Sequence, residues 1–331
     1  MLYDDAFTAR LHAGLRRALP AWGFGPDTAL TLLTVSENAT FVATRPDGRR
    51  FVLRVGRPGY HDAAEVRSEL DWIGALRAAH TIDTPAPVPC RNGAPVHCFD
   101  DGGEPRLVTC FEHVAGTAPD DSRPAPDRFR TLGALAARMH AQSRSFRRPP
   151  GFRRKSWTWD TIIGPAARWG DWRAAPGLSQ ADRALLERAA GQLRHDTDAF
   201  GTAPDRFGLI HGDMRAANLI EGQDGRLWVI DFDDCGLCWF GYDFAASVSF
   251  IEDDPRLPDL MRAWIAGYRS VAPLSEAGAA RLPMFVMLRR MQLTAWLASH
   301  AETPTARVLA PRYGAGTVAL ARDWLSTRAA R

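Results

Sequence analysis

The sequence predicts an α+β protein: a small antiparallel sheet with one main helix, then a mostly helical remainder. Three observations carry this. Three strand-like runs, a Pro46-Asp47-Gly48 turn and one strong amphipathic helix follow one another between Leu30 and Ala79. Helical periodicity dominates from Asp127 onward. At 331 residues the chain is long enough for two compact lobes.

Composition narrows the class. Hydrophobic content of 46% and charged content of 24% are those of an ordinary globular protein. A net charge of +3 is too small to argue for nucleic acid as a partner. No apolar run reaches the roughly 18 residues that a membrane span needs. The N-terminus carries early acids and an amphipathic pattern instead of a signal peptide, so a cytoplasmic location is expected. Five cysteines, an odd number, argue against a disulfide framework. Cys235 and Cys238 form a lone CxxC, too few ligands for a structural zinc site, and read as buried thiols.

Taken in order, residues 4–19 form an amphipathic helix ended by Pro20, Gly23 and Gly25. Strands follow at 30–35, 41–44 and 51–55. The first two are joined by the polar loop Ser36-Glu37-Asn38-Ala39-Thr40, either a plain hairpin loop or an anion-facing one. In the third, Arg54 is flanked by Val52, Leu53 and Val55, and a charge in that setting needs a partner or a ligand unless it faces the surface. Residues 62–79 form a strong helix with Val66, Leu70, Ile73 and Leu76 on its apolar face. Glu65 and Glu69 lie one turn apart on that helix and are the candidate partners.

A proline-rich linker at 84–89 leads to strands at 96–99 and 107–111, then to the extended segment Glu112-His113-Val114-Ala115-Gly116. An acidic loop at 120–126 precedes a helix at 127–145, with His140 near its end as a packed or capping residue. The run 144–155 is basic, either a solvated loop or a surface for an anion. Trp157, Trp159, Trp169 and Trp172 cluster next, and a helix at 179–200 is capped by Ser179. Helices at 255–270, 275–299 and 316–329 close the chain, and Arg289, Arg290 and Gln292 are candidates to line a pocket.

The chemistry concentrates in residues 209–234. Leu209-Ile210 runs into His211-Gly212-Asp213, Asn218 follows, and after a turn a short apolar strand ends in Asp231-Phe232-Asp233-Asp234. Phosphoryl transfer asks little covalent help of a protein. It needs a positioned nucleophile and neutralised phosphate charge, mostly by Mg²⁺. Hard Mg²⁺ takes a few oxygen ligands and keeps several waters. Asp213 can accept the proton of an attacking hydroxyl, and Asn218 and Asp231 can hold the metal. The offset from Asp213 to Asn218 is that of the protein-kinase catalytic loop, and Asp231-Phe232 is similar to the start of its D-F-G segment.

HGDMRAAN followed by IDFDD resembles the signature of the aminoglycoside phosphotransferase/choline kinase-like family, bacterial relatives of the protein kinases. The resemblance implies a two-lobed protein-kinase-like fold with ATP and Mg²⁺ between the lobes. The N-lobe would be residues 1–111, the hinge 112–116 and the helical C-lobe 117–331. It makes Asp213 the catalytic base, Asn218 and Asp231 the metal ligands, and His211 a brace for the loop. Either Asp233 or Asp234 could reach metal through water, and Asp243 would support the catalytic-loop backbone. Arg54 would touch the phosphates in place of the usual lysine, paired with Glu69. Ser36 and Thr40 would donate to phosphate, and the main chain at Glu112 and Val114 would meet adenine.

The loop without glycine and the arginine in place of lysine depart from the protein-kinase pattern. The ENATF, LRV and DFDDCG segments are most similar to bacterial stress-response Ser/Thr kinases and homoserine-kinase-like proteins. The expected activity is ATP- and Mg²⁺-dependent transfer of the γ-phosphoryl group to a small-molecule hydroxyl. A Ser/Thr protein kinase and a nucleotide-binding pseudokinase are the alternatives.

Overall fold

The structure is a computed structural model that describes residues 5–35, 38–119 and 125–329. Its helices are α1 (Asp5–Ala18), α2 (Ala63–Ala78), α3 (Pro126–Ser145), α4 (Trp159–Ile162), α5 (Gln180–Phe200), α6 (Tyr242–Ser247), α7 (Leu257–Arg269), α8 (Glu276–Ala279), α9 (Leu282–Ser299) and α10 (Pro304–Ala329). Its strands are β1 (Ala29–Val35), β2 (Ala39–Thr44), β3 (Arg50–Val55), β4 (His97–Asp101), β5 (Glu104–Glu112), β6 (Gly116–Thr117), β7 (Lys155–Ser156), β8 (Phe207–Ile210), β9 (Leu219–Gly222), β10 (Leu227–Val229) and β11 (Gly236–Trp239). Two compact units result. One holds Met1–Ala118, Phe146–Arg154 and Leu219–Asp233; the other holds Pro119–Ser145, Lys155–Asn218 and Asp234–Arg331.

The first unit is built on an antiparallel sheet in the order β1-β2-β3-β5-β4. The β2–β3 hairpin closes at Gly48, whose φ of 81° is open to glycine at little cost. Period-two alternation sends Phe41, Ala43, Leu53, Val55, Val108 and Cys110 into a core that Leu11 and Leu15 of α1 cover. Helix α2 starts with a capping box: Asp62 accepts from the Ala64 and Glu65 amides, and the Glu65 carboxylate accepts from the Asp62 amide at 3.1 Å. Its stripe of Val66, Leu70, Ile73 and Leu76 is buried. A second sheet pairs β6, β9 and β10. Gly116 is required in β6, because a Cβ there would lie 2.3 Å from the Glu221 carbonyl.

In the second unit α3 and α7 cross backbone to backbone at two glycines. A Cβ on Gly267 would lie 1.8 Å from the Arg130 carbonyl oxygen, and one on Gly133 2.0 Å from that of Trp264. Helix α9 is buried nearly all round and packs with α5, α6 and α10. Beside it β7, β11 and β8 form a small sheet, with Ile210 opposite Gly236. All five cysteines are free, and Cys235 and Cys238 are buried as expected.

Two helices differ from the sequence reading. The region read as one helix over 275–299 breaks between α8 and α9, where Pro283 near the start of α9 lacks the amide that a continuous helix would use. The last helix begins at Pro304, not at Gly316. Pro311, Gly314 and Gly316 read locally as breakers. Packing overrides them: Ala306, Tyr313, Thr317, Val318 and Ala321 are all buried. Gly316 is small for a reason, since a Cβ would lie 2.4 Å from the Arg290 guanidinium.

Candidate active site

The second unit holds a loop braced from behind by one carboxylate. Strand β8 delivers His211, Gly212 and Asp213. Gly212 has φ 81°, and a Cβ there would meet the Asp234 carbonyl oxygen at 2.8 Å. Asp243, at the start of α6, is fully buried. Its Oδ1 accepts from the Gly212 amide at 2.8 Å, and its Oδ2 accepts from the His211 amide at 3.3 Å. His140 Nε2 lies 2.9 Å from Asp243 Oδ2, and its Nδ1 lies 3.1 Å from the Tyr268 hydroxyl. Burial pushes the His140 pKa below 6.5. The ring is therefore neutral near pH 7, with Nε2–H donating to Asp243 and Nδ1 accepting from Tyr268. For Asp243, burial opposes ionisation, but the hydrogen bonds from His140 and from the Gly212 amide outweigh it and hold the pKa below the usual carboxylate range. His211 Nδ1 accepts from the Asp213 amide at 3.2 Å, closing the loop on itself.

Asp213 is held through both oxygens. Arg289 Nη2 donates to Oδ1 at 2.5 Å, while Asn218 Nδ2 and Arg215 Nε donate to Oδ2 at 2.7 and 3.2 Å. Asn218 Nδ2 also donates to the Asp213 carbonyl at 2.9 Å. Both N–H bonds of that amide are thus used, which fixes the flip and leaves Asn218 Oδ1 as an oxygen donor for a hard cation. Arg289, on α9, further donates to Ser249 Oγ, Gln292 Oε1 and the Gly212 carbonyl, and lies over the Trp169 ring. Burial alone would lower its pKa; Tyr242, Asp213 and Asp234 more than compensate. Arg290 turns elsewhere, to Glu252 at 2.8 Å.

The first unit holds a charged cluster of its own. Arg54 Nη2 lies 2.7 Å from Glu69 Oε2, and its Nη1 lies 3.6 Å from Asp233 and 3.7 Å from Asp231. Glu69 is therefore the partner, and Glu65 serves the α2 cap. Burial would lower the Arg54 pKa, but Glu69, Asp233 and Asp231 together raise it, so the guanidinium is permanently charged. Glu69 Oε1 and Thr109 Oγ1 are buried with no hydrogen-bond partner among the described residues. Thr109 lines a small cavity with Asn38, Arg54, Arg57, His61 and Asp233. His61 sits 3.5 Å from both Glu65 and Asp233. Asp231 has φ 61°, a left-handed conformation that costs on the order of 1–3 kcal/mol in a residue with a Cβ. Just after it, the buried Arg154 donates to the carbonyls of Phe232 and Asp233, and to that of Glu65 on α2 at 2.9 Å.

Thr40 pairs with Arg54 across β2 and β3. Ser36 lies outside the described residues. The Glu112 amide is taken by the Ala86 carbonyl at 2.9 Å, whereas among the described residues none is hydrogen-bonded to the main-chain groups of Val114. Sequence reasoning missed Arg154, one arginine within a basic run, and left Arg289 as a general pocket candidate.

Residues 31–274 match the phosphotransferase enzyme family. The chain belongs to that family. Its likeness to aminoglycoside phosphotransferases and choline kinase-like proteins, expected from HGDMRAAN and IDFDD, holds. The structure of a microcompartment-associated aminopropanol kinase is 42% identical, with a TM-score of 0.88, covering 95% of this chain and 97% of that one. The amicoumacin kinase of Bacillus subtilis (strain 168) is 24% identical over 84% of this chain and 82% of its own length. The homoserine kinase of Methylorubrum populi is 30% identical, but over 60% of this chain and 59% of its own length.

Spectinomycin phosphotransferase shares the protein-kinase-like fold, with a TM-score of 0.61 at 14% identity. This phosphotransferase is an enzyme with an alcohol group as acceptor, as predicted. The protein-kinase and pseudokinase alternatives are not favoured by these relatives. No described helix of the phosphotransferase is long and apolar enough to cross a membrane.

Proposed function

We propose that the protein transfers the γ-phosphoryl group of ATP to the hydroxyl of a short amino alcohol, with Mg²⁺ as the metal, in the cytoplasm. The observation that carries the acceptor class is the 42% identity to an aminopropanol kinase over 95% of the chain. Asp213 receives the acceptor hydroxyl. As the acceptor oxygen bonds to the γ-phosphorus, the bond from that phosphorus to the bridging oxygen breaks, ADP leaves, and the hydroxyl proton passes to Asp213.

Asn218 Oδ1 and the Asp231 carboxylate hold Mg²⁺. The ion supplies neutralisation of the developing phosphate charge. An all-oxygen donor set of one amide and one carboxylate suits an ion that keeps waters and phosphate oxygens as its other ligands. Among the described residues no three His, Cys, Asp or Glu side chains form a closed metal cage, and Mg²⁺ needs none. Arg54, steadied by Glu69, neutralises the phosphates, with Thr40 and Ser36 as hydroxyl donors. Val114 offers both main-chain groups to adenine; Glu112 is left only its carbonyl. His211 and Asp243 support the loop, and Asp233 supports Asp231.

The test is transfer of labelled phosphate from ATP across a panel of aminopropanols, ethanolamine, choline, homoserine and amicoumacin. The expected result is a preference for an aminopropanol over homoserine of at least about tenfold in kcat/KM, lost with EDTA and restored by Mg²⁺. Preference for homoserine or the antibiotic would refute the acceptor class.

A further inference from the structure

We propose that Arg289 is a positioning residue for the transfer step: its guanidinium fixes the carboxylate of Asp213 in the orientation that receives the acceptor. The inference rests on the reading of Asp213 as the residue that meets the hydroxyl. Its support is independent of that reading, because it comes from how the guanidinium is anchored.

Arg289 is 2% exposed and has five N–H bonds. Three are used to fix its own plane. Nε donates to Ser249 Oγ at 3.0 Å, and Nη1 donates to Gln292 Oε1 at 3.2 Å and to the Gly212 carbonyl at 3.3 Å. The anchors come from separate places: Ser249 follows α6, Gln292 lies one turn along α9, and Gly212 belongs to the catalytic loop. Gln292 is itself held by the Tyr242 hydroxyl, and the Trp169 face lies 4.9 Å from the guanidinium carbon. A planar fork with three anchored donors has no freedom left, so the direction of Nη2 is set before anything binds. Nη2 then meets Asp213 Oδ1 at 2.5 Å.

The occupancy of Asp213 identifies the receiving atom. A carboxylate offers about four lone-pair positions. Asn218 and Arg215 use the two on Oδ2, and Arg289 uses one on Oδ1. The remaining position is on Oδ1, beside Arg289. The acceptor hydroxyl therefore docks against the oxygen whose place Arg289 dictates. Misplacing a reacting group by about 1 Å can cost about a hundredfold in rate.

Arg290, the next residue, has the same charge and burial but no such role. It pairs with Glu252 and Thr317 and donates to the Tyr313 carbonyl.

The experiment compares wild type with Arg289→Lys, Arg289→Ala and Asp213→Asn, each checked for folding by circular dichroism and melting temperature. Lysine has one charge centre and cannot hold four acceptors. The expected result is a kcat lower by about a hundredfold in both arginine variants, with KM for ATP within about twofold of wild type. Added methylguanidinium restores part of the Arg289→Ala rate; methylammonium at equal concentration does not. A folded Arg289→Lys with kcat within about threefold of wild type, or equal rescue by both cations, would overturn the inference.

If the arginine variants do not fold, Ser249→Ala carries the test. Loss of one anchor lowers kcat several-fold with KM for ATP unchanged, and a wild-type kcat overturns the inference. Full turnover in Asp213→Asn would instead refute the reading of Asp213.

Discussion

Asp243 is where a single side chain carries the loop that begins at His211, and replacing it separates two kinds of loss. In Asp243→Ala three buried donors lose their acceptor: the Gly212 amide, the His211 amide and His140 Nε2–H. A buried unsatisfied group costs about 1–3 kcal/mol. The His211 contact, at 3.3 Å, belongs at the low end. The sum is about 3–6 kcal/mol, a large share of the roughly 5–15 kcal/mol that holds a typical protein folded.

Asp243→Asn is milder for a specific reason. The asparagine oxygen can stay on Gly212 while its amide faces His140. His140 then changes tautomer, accepting at Nε2 and donating from Nδ1 to the Tyr268 hydroxyl, which can accept. Only the weak His211 contact and the charge assistance are lost, about 1–2 kcal/mol. At about 2 °C per kcal/mol, the low end of the range because the chain is long, scanning calorimetry at pH 7 should show a drop of roughly 6–12 °C for the alanine variant and about 2–4 °C for the asparagine variant. Equal losses in both variants, or an alanine variant within about 1 °C of wild type, would refute the assignment of these hydrogen bonds.

Asp213→Ala should lower kcat by about 10²–10⁴-fold with ATP binding retained, read by steady-state kinetics and nucleotide titration. Glu69→Ala removes the nearest partner of the buried Arg54 guanidinium, leaving it Asp233 and Asp231 at 3.6 and 3.7 Å, and should destabilise the protein by up to about 3–5 kcal/mol in urea unfolding while weakening ATP binding. Gly267→Val drives a side chain into the Arg130 carbonyl at the α3–α7 crossing and should cost about 3 kcal/mol, seen as a lower melting temperature with unchanged KM values.

Acid should destabilise the protein through His140. Its folded pKa lies below 6.5, so as pH falls through 6.5 the unfolded chain takes up a proton that the folded one refuses. That contribution is fully present above 6.5 and is lost below it at up to about 1.4 kcal/mol per pH unit. His97 and His113 shift in the same direction. A His140→Gln variant should therefore keep a slope, but a shallower one, in urea unfolding between about pH 5 and 6.5.

What could be read from the sequence was local. The alternation of Phe41, Ala43, Leu53 and Val55 declares a half-buried sheet, and the stripe of Val66, Leu70, Ile73 and Leu76 declares the face of α2. His211 to Asp213, Asn218 and Asp231 to Asp234 stand close enough in the chain to form a recognisable spacing. The start of α10 was misread because Pro311 and the glycines are local signals, while the packing that overrules them comes from distant residues. Arg289 meets Asp213 across a separation of 76 residues, with no short-range pattern to announce it. Arg154 was hidden for the opposite reason. It sits among exposed arginines of the same run, and only the carbonyls it finds set it apart.

Those two arginines address one physical difficulty. In the proposed roles, Asp231 holds a metal and Asp213 meets a hydroxyl; a carboxylate with either task works only from a fixed position, yet both residues lie in loops, where the backbone is least constrained. Hydrophobic packing cannot fix them, because their ends must stay open to ligand. A buried guanidinium can: it is always charged, planar and rich in directed donors. Arg289 fixes its aspartate through the side chain, at Oδ1. Arg154 acts on the main chain, taking the two carbonyls that follow the left-handed Asp231 and leaving that carboxylate 46% exposed. Burying each cation carries a desolvation cost of several kcal/mol, which is offset only when most of its donors find acceptors. That condition makes the arrangement all-or-none. A guanidinium that loses one anchor is poorly placed for the rest, so small changes at Ser249 or at the start of α2 should reach the aspartates they never touch.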